Sequence, residues 1–175
     1  MTIVGSLKLS QIHIRVFVRY PKYLPPQPKD LNMLPLKKAQ TILKAALASA
    51  REKNMKPLAI FILDDRGSVK AAAVEDGSSL KRGDIALGKA YGCIALGVGS
   101  RSINKMALER PHFVASASHV IGGSMIPVPG GVLIKGAKGS VLGAIGVSGE
   151  TSDNDEIIAI AGVEAAGYKA DAGAN

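Results

Sequence analysis

Glycine recurs at short intervals through the C-terminal third of this chain. Met125-Ile-Pro-Val-Pro-Gly-Gly-Val-Leu-Ile134 is followed by Val141-Leu-Gly-Ala-Ile-Gly-Val-Ser-Gly149. Two short apolar strands flank a Lys138-Gly139 turn, and an acid-rich helix start, Asp153-Asn-Asp-Glu156, comes next. Aromatic residues make up only 4% of the chain and tryptophan is absent, while glycine numbers 20. The core must therefore be built from Ala, Val, Ile and Leu, with backbones approaching closely at glycines. A length of 175 residues accommodates one domain with a real core and is short for two.

The formal charge of +8 is unevenly spread. Residues 1–56 carry 11 basic and 2 acidic side chains, whereas residues 57–175 carry 11 and 12. Without aromatic stacking platforms or a zinc-finger or helix-turn-helix signature, this distribution argues against nucleic acid as a partner. The basic face of the first helix can instead attract an anionic ligand or partner. Cys93 is the single cysteine, so no intrachain disulfide forms and a reducing compartment is expected. No apolar run reaches the ~18–20 residues that span a bilayer. The first residues lack a secretory n-region and h-region. No membrane association and a cytoplasmic location are the expectations.

Residues 1–33 differ from the rest and read as an N-terminal arm, a strand followed by a proline-rich connector. From Gln11 to Arg19, Ile12, Ile14, Val16 and Val18 alternate with His13, Arg15, Phe17 and Arg19. A period of two indicates a half-buried strand. Pro21, Pro25, Pro26 and Pro28 make the connector extended. Strand addition to a neighbouring subunit is one use for such an arm. A dispensable leader ending before Met33 and an organelle transit segment are the others.

The domain proper, residues 34–175, opens with an amphipathic helix. Leu36, Ala39, Leu43, Ala46, Leu47 and Ala50 recur at helical spacing, and Pro35 is tolerated in the first turn. Leu58–Leu63 is a central strand that turns at Asp64-Asp-Arg-Gly67 into a second, Val69–Val74. Asp84–Leu96 is helical, with Gly88 and Gly92 on one face for close backbone packing. Ile103–Glu109 forms a short helix stopped before Pro111. A loop then leads to Gly123, the two C-terminal strands and a last helix from about Asp155 to Tyr168. Asp153 with Glu156 suits that helix's capped start. Hairpin-joined strands with helices between the pairs predict an α+β fold, an antiparallel sheet covered by helices.

Leu58-Ala-Ile-Phe-Ile-Leu-Asp64-Asp-Arg-Gly67, Glu75-Asp76-Gly77, Asp84-Ile-Ala-Leu-Gly-Lys89-Ala90, Pro127-Val-Pro-Gly-Gly131 and Gly143-Ala-Ile-Gly-Val-Ser-Gly149 occur in that order, with Asp155-Glu156 opening the last helix. Over roughly residues 34–170 the chain resembles the GlcG/HbpS family, which includes the C-terminal domain of PduO-type proteins. The resemblance implies a profilin-like α+β domain that associates into dimers and larger rings. It also implies an oligomeric small-ligand-binding role, because some members bind haem. Asp64, Asp76 and Lys89 match motif positions of the family, although both aspartates fall where turns favour Asp anyway.

An iron ligand would come from His, Cys, Met or Tyr. His112 and His119, in the expected loop before Gly122-Gly123, are the haem candidates; His13 reads as solvated and Cys93 as a small core residue. An anionic ligand has its own candidates. Ser100 and Arg101 follow Gly97-Val-Gly99 at a helix start, where N–H groups and a guanidinium can hold a carboxylate. A glycine C-cap followed by an N-capping serine explains the same residues. Gly122, Gly123, Gly130 and Gly131 either let a ligand approach backbone or form turns. Lys89, on a helix among small residues, pairs with an acid at a subunit boundary, reaches an anionic ligand or is solvated. No residue demands haem; the resemblance makes haem or another tetrapyrrole the first ligand to consider. The competing class is a cofactor-independent enzyme acting on a small carboxylated intermediate. There Arg101 would bind the carboxylate, and Lys89 or His112 would move protons. A purely structural assembly is the third reading. Gly83–Ala90 imitates a phosphate loop, but Ala90 replaces the needed hydroxyl and no strand precedes it. No Gly-x-Ser-x-Gly elbow and no zinc spacing occur.

Overall fold

The computed structural model describes residues 4–9, 12–17, 33–122 and 124–174. The chain divides into two compact units, Met1–Leu31 and Asn32–Asn175. In the first, β1 (Val4–Leu9) and β2 (Ile12–Phe17) pair antiparallel, with Leu9 opposite Ile12 and Val4 opposite Phe17. The sequence pattern predicted one strand here, and β1 is additional. Gln11, Val18, Arg19 and the proline-rich connector lie outside the described residues.

The second unit runs α1 (Leu36–Glu52), β3 (Ala59–Asp64), β4 (Val69–Val74), α2 (Arg82–Leu96), α3 (Ser100–Glu109), α4 (Pro111–Val120), β5 (Gly131–Lys135), β6 (Val141–Ser148), α5 (Ser152–Ala165) and β7 (Lys169–Asp171). Its five strands form an antiparallel sheet in the order β4-β3-β6-β5-β7, which confirms the α+β reading. Strand alternation sends side chains to two cores. Ile60, Ile62, Val132, Ile134, Ile145 and Val147 meet Ala39, Ile42 and Ala46 of α1 and Ile158, Ala159 and Val163 of α5. Leu63, Leu133 and Ala144 on the other face meet Ala90 and Cys93 of α2, Ile103 of α3 and Val114 of α4.

The second face is shallow because glycine lines it. Gly146 of β6 stands opposite Gly131 of β5. A Cβ added to Gly146 would meet the Ala86 carbonyl oxygen at 2.0 Å, and one at Gly131 would meet the Lys89 oxygen at 2.6 Å. The backbone of α2 therefore rests directly on the sheet. The opposite side of α2, at Gly88 and Gly92, packs against Ser124, Met125 and Ile126, as the spacing of those glycines predicted.

Three local expectations need correction. The segment between Arg110 and Gly122 is not a loop but α4. Pro111 both ends α3 and starts α4, because at N1 its missing N–H is one that no helix uses. The strand β7 is additional; at three residues it is too short for a periodic signal, and the Lys135–Asp171 ion pair ties it to β5. Finally, α5 begins at Ser152 and is capped by Thr151, whose Oγ1 accepts the Asn154 N–H at 3.3 Å. Asp153 and Glu156 are drawn instead to Arg101.

Candidate functional site

Two features of the second unit are candidates: a buried polar cluster in which side chains of α2 and α3 reach acids of α5, and an apolar cavity beside α4.

The cluster is organised by Lys89. Its Nζ donates to Asp155 Oδ2 at 2.8 Å, and both side chains are 2% exposed. Asp155 Oδ1 accepts the Glu150 N–H at 3.0 Å, which fixes the turn from β6 into α5. Burial pushes the Lys89 amine down and the Asp155 carboxyl up, and their mutual attraction opposes both shifts. Gly130, at φ 113°, passes beneath the pair; a Cβ there would lie 2.8 Å from Lys89 Nζ. Lys89 does pair with an acid, but the expectation of a subunit boundary is corrected: the acid, Asp155, belongs to the same chain.

Ser100 is not a cap. Gly99 takes the N-cap position of α3, and the buried Ser100 hydroxyl donates to the Gly131 oxygen at 2.9 Å while accepting the Gly131 N–H at 2.8 Å. Gly97 does close α2 in the left-handed conformation, with φ 69°. Arg101 Nε donates to Glu156 Oε1 at 3.0 Å and to Oε2 at 3.1 Å, and Arg101 also pairs with Asp153. These carboxylates, Glu156 first, hold the guanidinium further into its charged form. The cations proposed for a carboxylate ligand, Lys89 and Arg101, are thus each engaged by acids of α5. Asp153, Asp155 and Glu156 serve those ion pairs, and among the described residues no group of three or more potential ligands gathers to hold a metal.

Cys93 lies in the core on the α2 face of the sheet, and burial pushes its thiol up to about 12. We expect it to resist a disulfide exchange reagent at pH 8 in the folded protein and to react fully once urea unfolds the chain, since the thiolate is the reactive form. Prompt labelling without denaturant would contradict this burial.

The cavity is an open cleft of about 330 Å³ between α3, α4 and the segment before β5, lined by Ala107, Pro111, Val114, Ala115, Met125 and Pro127 together with Ser118. Pro111, Val114, Ala115 and Ser118 fall at the i, i+3, i+4, i+7 positions of α4, so one stripe of that helix forms a wall. His112 and His119 each directly follow a lining residue and are exposed. Phe113 and Val120 on the same helix are exposed at 40% and 83%. Gly122 is exposed at φ 92° just beyond α4, and Gly123 lies outside the described residues. The structure thus separates the sequence candidates into two groups. Lys89, Ser100, Arg101, Gly130 and Gly131 build the polar cluster, while His112 and His119 belong to the helix that walls the cavity. The apolar walls themselves carried no chemical signature and were missed in the sequence.

The family model described as haem degrading protein HbpS-like matches residues 34–164. Among solved structures, the PduOC–heme complex has a TM-score of 0.70 at 19% identity, covering 78% of this chain and 96% of its own. Protein ORFY of Klebsiella pneumoniae gives 0.70 at 23%, covering 83% and 98%. A double mutant of HbpS from Streptomyces reticuli gives 0.65 at 22%, covering 85% and 94%. Likenesses at these identities establish the fold. No curated protein matches the chain in sequence. With more than half of its length matched by that family model, the chain belongs to the haem degrading protein HbpS-like family.

Proposed function

We propose that this protein is a tetrapyrrole-binding accessory protein, with haem as the first candidate, working in the cytoplasm as an assembly of its own copies. The observation that carries the reading is the apolar cavity beside α4, the helix that also bears the exposed His112 and His119. Membership in a family described by haem degradation supports it, as does the likeness to a structure solved with heme. Among the described residues no helix is long and apolar enough to cross a membrane.

The lining fits the group in its chemistry. Ala107, Val114, Ala115, Met125 and Pro127 offer aliphatic contact to a macrocycle, and His112 or His119 would supply the iron-binding nitrogen. At about 330 Å³ the cavity is at the lower end of small-ligand sites (~300–1,000 Å³), so it admits part of a macrocycle. Bound haem would supply its own redox or oxygen chemistry; the chain's residues bind and orient it. The carboxylate-enzyme reading finds less support, because Lys89 and Arg101 are already neutralised by Asp155, Glu156 and Asp153.

A hemin titration tests the proposal. A sharpened Soret band should saturate at about one haem per chain and be lost in the His112→Ala/His119→Ala double variant. Ala115→Trp, which fills the cavity from an exposed position, should abolish binding while leaving the far-UV circular dichroism unchanged. A broad free-hemin spectrum for the wild type would sink the haem reading. A wild-type spectrum in Ala115→Trp would place the ligand elsewhere.

A further inference from the structure

Arg82, the first residue of α2, is half-buried and faces no acid. Among the described residues it makes no ion pair, whereas its neighbours Lys81 and Asp84 neutralise each other at 2.6 Å. Its side chain makes a single bond among those residues, from Nη1 to Ser148 Oγ at 3.4 Å. That is longer than the ~2.7–3.2 Å of a good N–H···O bond. A guanidinium carries a fork of several N–H donors, so most of those on Arg82 have no protein acceptor.

Ser148 is the second member. β6 sends Ala144, Gly146 and Ser148 to the α2 face of the sheet, and Ser148 is only 1% exposed. Its hydroxyl accepts from Arg82, and among the described residues nothing accepts its own proton. A buried hydroxyl costs free energy unless its hydrogen is bonded. The guanidinium and the hydroxyl therefore call for the same complement, a group that accepts from both.

The surrounding charges fix the sign and size of that group. Arg82, Ile85, Ala86 and Lys89 fall at i, i+3, i+4 and i+7 of α2, on one stripe. Ala86 rests on Gly146 and Lys89 on Gly131, so this stripe faces the sheet. Arg82 is close enough that its charge adds to burial in lowering the Lys89 amine and opposes burial at the Asp155 carboxyl. Lys89 and Asp155 balance each other at 2.8 Å, and the Glu150 carboxylate accepts the Lys56 N–H at 3.0 Å. The charge of Arg82 is left over. A monoanion balances it, whereas a dianion would bring uncompensated negative charge towards Asp155. The planar fork of a guanidinium matches the two oxygens of a carboxylate. We propose that Arg82 and Ser148 form a carboxylate-binding site, in which the guanidinium takes both oxygens of a small monocarboxylate and the Ser148 hydroxyl donates to one of them. The site shares no residue with the cavity beside α4, and the inference is independent of what that cavity binds.

Propionate titrated into the ¹⁵N-labelled full chain tests it, with sodium chloride at matched ionic strength as the control. The amide resonances of Arg82, Gly83, Ser148 and Gly149 should shift saturably with propionate and not with chloride. Arg82→Gln should abolish these shifts. Arg82→Lys keeps the charge but loses the fork, and should weaken binding. Ser148→Ala should weaken it about tenfold, the effect of one hydrogen bond to a charged group. Inorganic phosphate should bind more weakly than propionate. Shifts no larger than those with chloride, or shifts that survive in Arg82→Gln, overturn the proposal. So does tighter binding of phosphate, or unchanged affinity in Ser148→Ala. If the amide dispersion shows that Arg82→Gln does not fold, the Ser148→Ala titration decides the matter.

Discussion

Lys89→Met is expected to lower the free energy of unfolding by about 3–5 kcal/mol, a large share of the ~5–15 kcal/mol typical of a domain. Both charges of the Lys89–Asp155 pair are withdrawn from water, and removing one leaves the other buried without compensation. The loss goes beyond the ammonium. Asp155 also accepts the Glu150 N–H, so a carboxylate that protonates or swings out releases the turn that launches α5. The variant Lys89→Met/Asp155→Leu should recover most of the deficit, because a well-packed apolar pair has no charge to desolvate. It should not recover all of it, since an unsatisfied Glu150 N–H costs ~1–3 kcal/mol. Urea unfolding at pH 7 of the wild type, both single variants and the double gives the coupling directly. A Lys89→Met unfolding free energy within about 1 kcal/mol of wild type would show that water reaches the pair.

How far the sequence could lead to this cluster depends on distance along the chain. The helix α1, the continuous apolar run of β3 and the hairpin β5–β6 were legible because each repeats within a few residues, although Leu36 of the expected α1 stripe is exposed and the buried Ile42 lay outside it. Lys89 stood out on a helix of small residues. Its partner did not, because Asp153, Asp155 and Glu156 have the spacing of a helix start, and nothing local says that two of them turn inward. The pairing spans 66 positions and is created only when the folded sheet brings Lys89 of α2, on one face, within reach of Asp155 of α5, on the other. The cavity was hidden for a different reason. Its walls come from Ala107, Val114 and Ala115 on two helices, the second of which was read as a loop because Pro111 signalled an end more strongly than a beginning. His112 and His119 were noticed for their chemistry, and the helix that gives them a common place was not. Ser100 was noticed for its position after glycine, whereas its bonds to Gly131 depend on β5 lying beside α3.

The glycines that opened the reading of this chain carry the other large expected effect. Gly146→Ala should destabilise by more than the ~1–3 kcal/mol of ordinary overpacking. Its Cβ would lie 2.0 Å from the Ala86 oxygen and 2.8 Å from the Ala90 nitrogen, and both are backbone atoms of α2 that cannot rotate aside. The helix itself must lift from the sheet. Doing so opens the contacts of Ala90 and Cys93 with Leu63, Leu133 and Ala144, and draws Lys89 away from Asp155. Gly97→Ala is the informative comparison. Gly97 has open space around it and only its left-handed φ of 69° to lose, so alanine there should cost ~1–2 kcal/mol. The two substitutions add the same methyl group and separate contact from conformation. If urea midpoints rank Gly146→Ala as the milder change, α2 does not rest backbone-on-backbone against β6. If they rank as expected, the glycines of the C-terminal hairpin set the distance of α2 from the sheet, and with it the reach of Lys89 to Asp155.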